Sequence, residues 1–225
     1  MLSVSELHYR HGGAAPLLEG VTFAVADGEC VALLGRSGSG KSTLLQLVAG
    51  LVRAQSGRIA VQGTAVEQLQ EPALTALRRE TVGFVYQHFC LLPTLTLLEN
   101  VAMPLELMGQ SPDVAATRAA QRLAQLDIGH LAERFPDQVS GGEQQRAGIA
   151  RAMVAEPPLV LADEPTGSLD ADNGERVFDA LLEITRRERR SVLIATHSAA
   201  LAARADRILT LRSGQIVEGA GDDAW

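Results

Sequence analysis

The sequence contains a glycine-rich loop whose residue types and spacing suit phosphate binding. It matches the pattern G-x-x-x-x-G-K-[ST] and consists of Gly35, Arg36, Ser37, Gly38, Ser39, Gly40, Lys41, Ser42 and Thr43. Glycines let successive backbone N–H groups converge on phosphate oxygens without obstruction by a Cβ atom, and Lys41 can reach the β- and γ-phosphates of a nucleotide. An apolar run over residues 31–34 precedes the loop and a helical pattern over residues 43–48 follows it. This order predicts a nucleotide site in which the Ser42 hydroxyl ligates Mg²⁺.

Two adjacent carboxylates, Asp163 and Glu164, follow an apolar run over residues 159–162. Because neighbouring residues of a strand point to opposite faces, the two groups can have different roles. Asp163 is placed to hold Mg²⁺, directly or through water, and Glu164 to polarise the attacking water as a general base. Alone, such a pair is more typical of a solvated strand end. Downstream of a phosphate loop, it predicts nucleotide hydrolysis.

A second anion site is predicted in residues 139–146, which read VSGGEQQR. Ser140, Gly141 and Gly142 open a helical pattern over residues 144–154, and the N-terminus of a helix attracts anions. Two separate γ-phosphate sites in one chain indicate that the second serves the nucleotide of a partner chain.

These motifs resemble those of the ATP-binding-cassette (ABC) family, whose signature is usually written LSGGQ. Val139 stands here in place of the leucine and Glu143 in place of the glutamine. The resemblance implies that two copies of the chain pair head to tail around two ATP molecules, each with Mg²⁺. The signature residues that would then close on the partner's ATP are Ser140, Gly141, Gly142 and Glu143.

The resemblance assigns roles to four further residues. It implies that Tyr9 stacks on adenine, although a half-exposed strand tyrosine fits the same position. Gln87 matches a hinge glutamine that touches Mg²⁺ or the attacking water, which adds it to Ser42 and Asp163 as a metal-site residue. Asp170 matches a loop that crosses the dimer interface. His197 matches a histidine that contacts the γ-phosphate; a lone histidine after a strand is more often structural, but the preceding apolar run favours the catalytic role.

Residues 82–105 and 161–170 look like those of the lipoprotein-releasing and macrolide-efflux ATPases within this family. The resemblance implies an ATP-hydrolysing subunit that drives a separate integral membrane permease by transmitting force. ATPases of amino-acid importers share most of these motifs and are the alternative. Non-transport ABC ATPases that act on ribosomes or DNA normally carry two cassettes or a long coiled-coil insertion, and this sequence has neither.

The segment after Gln87 is rich in apolar side chains. They are Phe89, Cys90, Leu91, Leu92, Leu95, Leu97 and Leu98. Some must pack inside the protein, and the rest predict an exposed apolar patch of the kind that marks a protein interface. We expect a groove around residues 88–106 that accepts a short helix from the membrane subunit, where it would sense movement of Gln87.

The hydrophobic pattern of the sequence predicts the strands and helices that would position these residues. Short apolar runs at 31–34, 82–85, 159–162 and 191–195 predict buried parallel strands, and helical patterns such as 172–186 lie between them. This order predicts an α/β fold of the P-loop NTPase type, a mostly parallel sheet flanked by helices. Alternating stretches at 2–7, 21–25 and 58–61 predict an N-terminal antiparallel β subdomain. We expect one ABC-type domain over residues 1–225, with its core in 1–87 and 156–225 and an α-helical insert in about 88–155.

Composition excludes several classes of protein. The chain has 225 residues, with 20 Lys and Arg against 27 Asp and Glu, a net charge of −7. An acidic chain is poorly suited to nucleic acid, so no nucleic-acid partner is expected. The basic run Arg186, Arg187, Arg189 and Arg190 fits a solvated helix end. Two cysteines, the lack of a secretory signal and the lack of a membrane-spanning run predict a cytoplasmic protein. The family resemblance implies that it is peripheral on the cytoplasmic face of the inner membrane.

Overall fold

Two β-sheets and seven α-helices make up the part of the chain that the structure, a computed structural model, describes: residues 1–12 and 15–219. The strands are β1 (Leu2–Tyr9), β2 (Leu18–Val25), β3 (Cys30–Leu34), β4 (Ser56–Val61), β5 (Thr64–Ala65), β6 (Val82–Val85), β7 (Leu159–Asp163), β8 (Ser191–Thr196), β9 (Arg207–Arg212) and β10 (Gln215–Glu218). The helices are α1 (Lys41–Val48), α2 (Ala73–Glu80), α3 (Leu97–Leu107), α4 (Pro112–Gln125), α5 (Gly141–Met153), α6 (Ala171–Arg187) and α7 (Ala199–Ala202). None of these helices is both long and apolar enough to cross a membrane.

The smaller sheet is antiparallel, as predicted, and has the strand order β2-β1-β4-β5. In β1 the side chains of Leu2, Val4 and Leu7 are buried, and polar residues lie between them. Leu2 and Val4 share a face because successive strand residues point to opposite faces of a sheet. Leu7 returns to that face because β1 is irregular between Val4 and Leu7, where Glu6 has a φ of +48°. β1 ends at Tyr9, which pairs with Leu18 of β2. The smaller sheet therefore fixes the position of Tyr9.

The larger sheet has the order β10-β9-β3-β8-β7-β6 and is parallel except where β10 pairs with β9. The four apolar runs predicted as parallel strands are β3, β6, β7 and β8, each within one residue of the expected bounds. Every residue of β3 and β8 is buried, because helices cover both faces of such a sheet. The loops that follow these four strands lie together at the carboxyl ends of the strands, where open α/β sheets bind their ligands.

Helices α3, α4 and α5 lie in the predicted helical insert. Their buried side chains, among them Leu97, Leu105, Leu123 and Ile149, belong to one apolar cluster with Phe178 of α6. Because the helices of the insert share one apolar cluster with the larger sheet, they pack on the sheet and do not form a separate unit. The exact limits of 88 and 155 stay a prediction.

Five elements were not predicted: β5, α2, α7, β9 and β10. The apolar run of β9 is bounded by Arg207 and Arg212, so its pattern resembles that of a polar loop. Helix α7 has four residues, too few to show a period. Helix bounds differ by up to three residues from the expected ones; α1 begins at Lys41 rather than at residue 43.

Candidate active site

The phosphate loop joins β3 to α1. Gly38 and Gly40 have φ angles of +79° and +105°, in the left-handed region that favours glycine. At Gly40 a Cβ atom would also lie 3.1 Å from Cγ of Leu17. The N-terminus of α1 receives no side-chain cap from the described residues, so its backbone N–H groups are available to an anion. The predicted strand–loop–helix order is therefore present.

Lys41 connects the loop to the predicted base. Its side chain is 5% exposed, and Nζ donates to the carbonyl oxygens of Gly35 at 2.7 Å and Arg36 at 3.2 Å. Nζ also lies 3.2 Å from Oε1 of Glu164. These contacts bring together two charged groups that are 123 positions apart in the sequence.

Two of the three residues predicted to hold Mg²⁺, Ser42 and Asp163, are in direct contact. The Ser42 hydroxyl donates to Oδ1 of Asp163 at 2.8 Å. Burial raises the pKa of Asp163 above its usual value; the hydrogen bond from Ser42 opposes this rise, while the negative charge of Glu164 adds to it. Hydroxyl and carboxylate oxygens are the ligands that Mg²⁺ prefers, so the pair fits that ion. The described residues contain no cluster of three His, Cys, Asp or Glu side chains that could hold a metal, so Mg²⁺ would also need oxygens from phosphate and water.

Glu164 lies between Lys41 and His197. Its φ of +44° is uncommon for a residue other than glycine, and such backbone conformations concentrate at functional sites. Oε2 lies 2.8 Å from Nδ1 of His197 and also accepts a 3.3 Å hydrogen bond from the His197 backbone N–H. Both carboxylate oxygens are thus engaged, one by a cation and the other by an imidazole.

Gln87 and Glu164 both border Gly167. A Cβ atom on Gly167 would be 3.0 Å from Nε2 of Gln87 and 3.4 Å from Cβ of Glu164. The Ser168 hydroxyl donates to the Gln87 carbonyl at 3.1 Å. The end of β6 and the 166–170 loop are therefore packed together next to Glu164.

Asp170, predicted to lie at a dimer interface, caps α6 in this chain. Its side chain accepts a 3.0 Å hydrogen bond from the Asn173 backbone N–H, and the hydrogen bonds from Asn173 lower the pKa of Asp170. The carboxylate is exposed, so the cap leaves it accessible from outside.

The signature residues form the N-terminus of α5, three residues earlier than the expected helix. Ser140 is the N-cap, and its hydroxyl donates to Oε2 of Glu143 at 2.8 Å. A Cβ atom on Gly141 would lie 3.2 Å from Cδ2 of Leu169, so the signature packs against the 166–170 loop. Within the described part of the chain, no hydrogen bond joins Ser140 to the phosphate loop. The capping role of Glu143 was not predicted, although the S-x-x-E spacing signals it.

Tyr9 lies near the phosphate loop but outside its hydrogen-bond network. The Tyr9 carbonyl accepts a 2.8 Å hydrogen bond from Leu17, and Leu17 and Leu18 border Gly40. The Tyr9 hydroxyl is 3.2 Å from Nδ1 of His11, and the two rings meet edge to face. A cavity of about 480 Å³ adjoins Tyr9.

The predicted partner groove lies partly elsewhere than expected. A cavity of about 480 Å³ takes Cys90, Met103 and Pro104 from the range 88–106, but its other walls come from outside that range. They include Arg78, Arg79, Phe84, Tyr86 and Arg151. Of the predicted apolar residues, Leu97 is fully buried and Leu92 is 42% exposed. The groove is therefore lined by β6, α2 and α5 as much as by the segment after Gln87.

The chain is similar to known proteins in both sequence and structure. A family model described as ABC transporter matches residues 18–167. The chain is 46% identical over 201 residues to an ABC transporter ATP-binding protein of Mycobacterium tuberculosis, covering 89% of this chain and 81% of the relative. It is 47% identical over 201 residues to the lipoprotein-releasing system ATP-binding protein LolD 1 of Rhodospirillum rubrum, covering 89% of each. A solved dimeric structure of the ATP-binding cassette MJ0796, in a post-hydrolysis state bound to ADP and Pi, superposes with a TM-score of 0.88 at 34% identity, covering 97% of this chain and 98% of that one.

Proposed function

The chain belongs to the ABC transporter family and is its ATP-binding, ATP-hydrolysing subunit, and we propose how its residues divide that work. One observation carries the proposal. Lys41, the Ser42–Asp163 pair and the Glu164–His197 pair meet where β3, β7 and β8 end. Phosphoryl transfer depends on positioning and on neutralising charge, and this cluster supplies a cation, oxygen ligands for Mg²⁺ and a carboxylate.

Binding of the triphosphate falls to the loop and to Lys41. The backbone N–H groups of residues 35–40 and the N-terminus of α1 surround the phosphates, and Lys41 exchanges Glu164 for phosphate oxygens. Ser42, Asp163 and Gln87 hold Mg²⁺, which neutralises phosphate charge when bound. Tyr9 stacks on adenine at the cavity beside β1.

Hydrolysis falls to Glu164. Once phosphate replaces Glu164 at Lys41, Oε1 of Glu164 is free to accept a proton from water, while His197 holds Oε2. Nε2 of His197 makes no hydrogen bond among the described residues and can therefore contact the γ-phosphate. Gln87, packed against Ser168, shifts when Glu164 leaves Lys41, and this shift moves the segment that begins the helical insert.

The second half of the site comes from a second copy of the chain. Among the residues that the structure describes, no hydrogen bond joins Ser140, Gly141, Gly142 or Glu143 to the phosphate loop of the same chain. This supports a head-to-tail pair in which each signature faces the partner's ATP. Asp170, on the exposed loop that packs against the signature, belongs to the same interface.

The partner in the membrane is a permease of the lipoprotein-release type. Relatives named for lipoprotein release, at 42–47% identity over most of the chain, favour this type over the amino-acid importer. The groove beside β6 combines an apolar wall with Arg78, Arg79 and Arg151, so it suits a short helix with apolar and acidic side chains. The subunit would work at the cytoplasmic face of the inner membrane.

Two substitutions separate binding from hydrolysis. Lys41→Ala should abolish tight ATP binding, because it removes the charge that neutralises phosphate. Glu164→Gln should bind ATP and lose at least about 100-fold in turnover, the usual effect of removing a general base. Isothermal titration and a phosphate-release assay measure the two quantities, with Arg53→Ala, the loss of an exposed charge outside the site, as the control. Wild-type turnover by Glu164→Gln would contradict the assignment of the base.

A further inference from the structure

The donors of Ser140 are already used within the chain. Its backbone N–H and its hydroxyl each donate to Oε2 of Glu143, at 2.7 and 2.8 Å, and the Glu143 backbone N–H points back to the Ser140 hydroxyl at 3.4 Å. These hydrogen bonds lower the pKa of Glu143, so its carboxylate is charged at neutral pH. A serine has one hydroxyl proton and one amide proton, and both are given to this anion.

The same arrangement occurs at the start of α3. The Thr96 backbone N–H and hydroxyl donate to Oε2 of Glu99 at 2.7 and 2.9 Å, and the Glu99 N–H returns a 3.2 Å bond. Hydrogen bonds from Thr96 lower the pKa of Glu99 as well. Both boxes satisfy helix N–H groups. The Thr96–Glu99 box has no part in the proposed nucleotide site, so it is a matched control for capping alone.

We infer that Glu143 is a built-in competitor of the γ-phosphate, which it keeps from Ser140 until a second copy brings ATP. This inference rests on the proposed function and deepens it. For the phosphate to take the two protons of Ser140, the side chain of Glu143 must release them. The negative charge of Glu143 makes that exchange unfavourable, because a carboxylate holds the protons more tightly than a neutral acceptor would and repels the incoming phosphate. Glu143 therefore raises the ATP concentration at which the dimer closes, and each dimer contains two such residues. Arg146, one turn along α5, lies near enough to lower the pKa of Glu143 and offsets part of the repulsion.

Glutamine separates charge from capping. Its side-chain oxygen accepts the same two hydrogen bonds, so α5 stays capped, but it carries no charge. The experiment uses full-length Glu164→Gln protein, which holds ATP, as the parent. It compares the parent with variants that also carry Glu143→Gln or Glu99→Gln. Multi-angle light scattering gives the MgATP concentration at which half of the protein is dimeric, at 50 and at 500 mM NaCl.

Glu143→Gln should lower that midpoint about tenfold at 50 mM NaCl, and by less at 500 mM, because salt screens exposed charges. Glu99→Gln should leave it unchanged. A second pair, Glu143→Ala and Glu99→Ala, removes charge and cap together; both should lower Tm similarly, and only the first should lower the midpoint.

An unchanged midpoint with Glu143→Gln would overturn the inference, and so would an equal shift with Glu99→Gln. A change in the midpoint with Glu143→Gln that is equal at 50 and 500 mM NaCl would exclude charge as its cause, and it would also overturn the inference. A parent that stays monomeric at saturating MgATP would instead overturn the proposed head-to-tail pair, and the inference with it.

Discussion

Lys41 is the only lysine in the chain, and two partners compete for its ammonium group. Within the subunit it contacts loop carbonyl oxygens and Oε1 of Glu164. Bound phosphate would take the same positive charge. The ion pair is largely buried, at 5% and 12% side-chain exposure, so the charges interact strongly. In the proposed mechanism, Lys41 would therefore also restrain Glu164 until phosphate arrives.

This exchange can be observed directly. Protein labelled with ¹³C at lysine Cε should give a single lysine resonance, from Lys41. Glu164→Gln should move that resonance, because Lys41 loses a carboxylate neighbour, and ATP should move it again in both proteins toward a common position. Glu71→Gln, which alters an exposed ion pair with Arg78, is the control. Identical spectra for Glu164→Gln and Glu71→Gln would contradict the Lys41–Glu164 pair.

Among the elements, the sequence predicted the buried parallel strands and the strand–loop–helix order because their signals are local. The phosphate loop, the carboxylate pair and the four buried strands each lie within a few consecutive residues. The contacts of Lys41 with Glu164 and of Gly141 with Leu169 depend on how distant segments pack, and no local pattern contains them. Strand β9 was missed because its bounding arginines mask a buried run. The walls of the groove were only partly predicted, because most of its lining residues lie outside the range 88–106.

The groove beside β6 contains a native probe for the membrane partner. Cys90 is exposed, whereas Cys30 is buried and its pKa is raised to about 12, chiefly by burial. Since the thiolate is the reactive form, only Cys90 should react quickly with maleimide. In complex with the permease its labelling should slow by at least about tenfold, because a docked helix would exclude the reagent.

Mass spectrometry of the labelled chain identifies the modified cysteine, and Cys90→Ser should remove the rapid reaction. Equal rates in the isolated subunit and in the membrane complex would place the permease on another surface.

In the molecule as a whole, one chain contains the phosphate-loop half and the signature half of a nucleotide site, but the two halves do not meet within the part of that chain that the structure describes. The phosphate loop with its carboxylates lies at the edge of the parallel sheet, and the signature lies at the start of α5, without a hydrogen bond between them. The solved cassette that this chain resembles, at a TM-score of 0.88, is itself a dimer with ADP and Pi. We propose that two copies of the chain complete each other's sites.

Mixing two inactive variants tests this claim most directly. Lys41→Ala removes the phosphate-loop half and Ser140→Arg blocks the signature half, so a mixed dimer should regain one intact site, formed by the loop of one chain and the signature of the other. Lys41→Ala mixed with Glu164→Gln is the control, because both changes affect the same half and leave no intact site. With native mass spectrometry confirming mixed dimers in both cases, the account predicts ATPase activity in the first mixture well above that of either variant, and none in the second. Mixed dimers of Lys41→Ala and Ser140→Arg without recovered activity would contradict it.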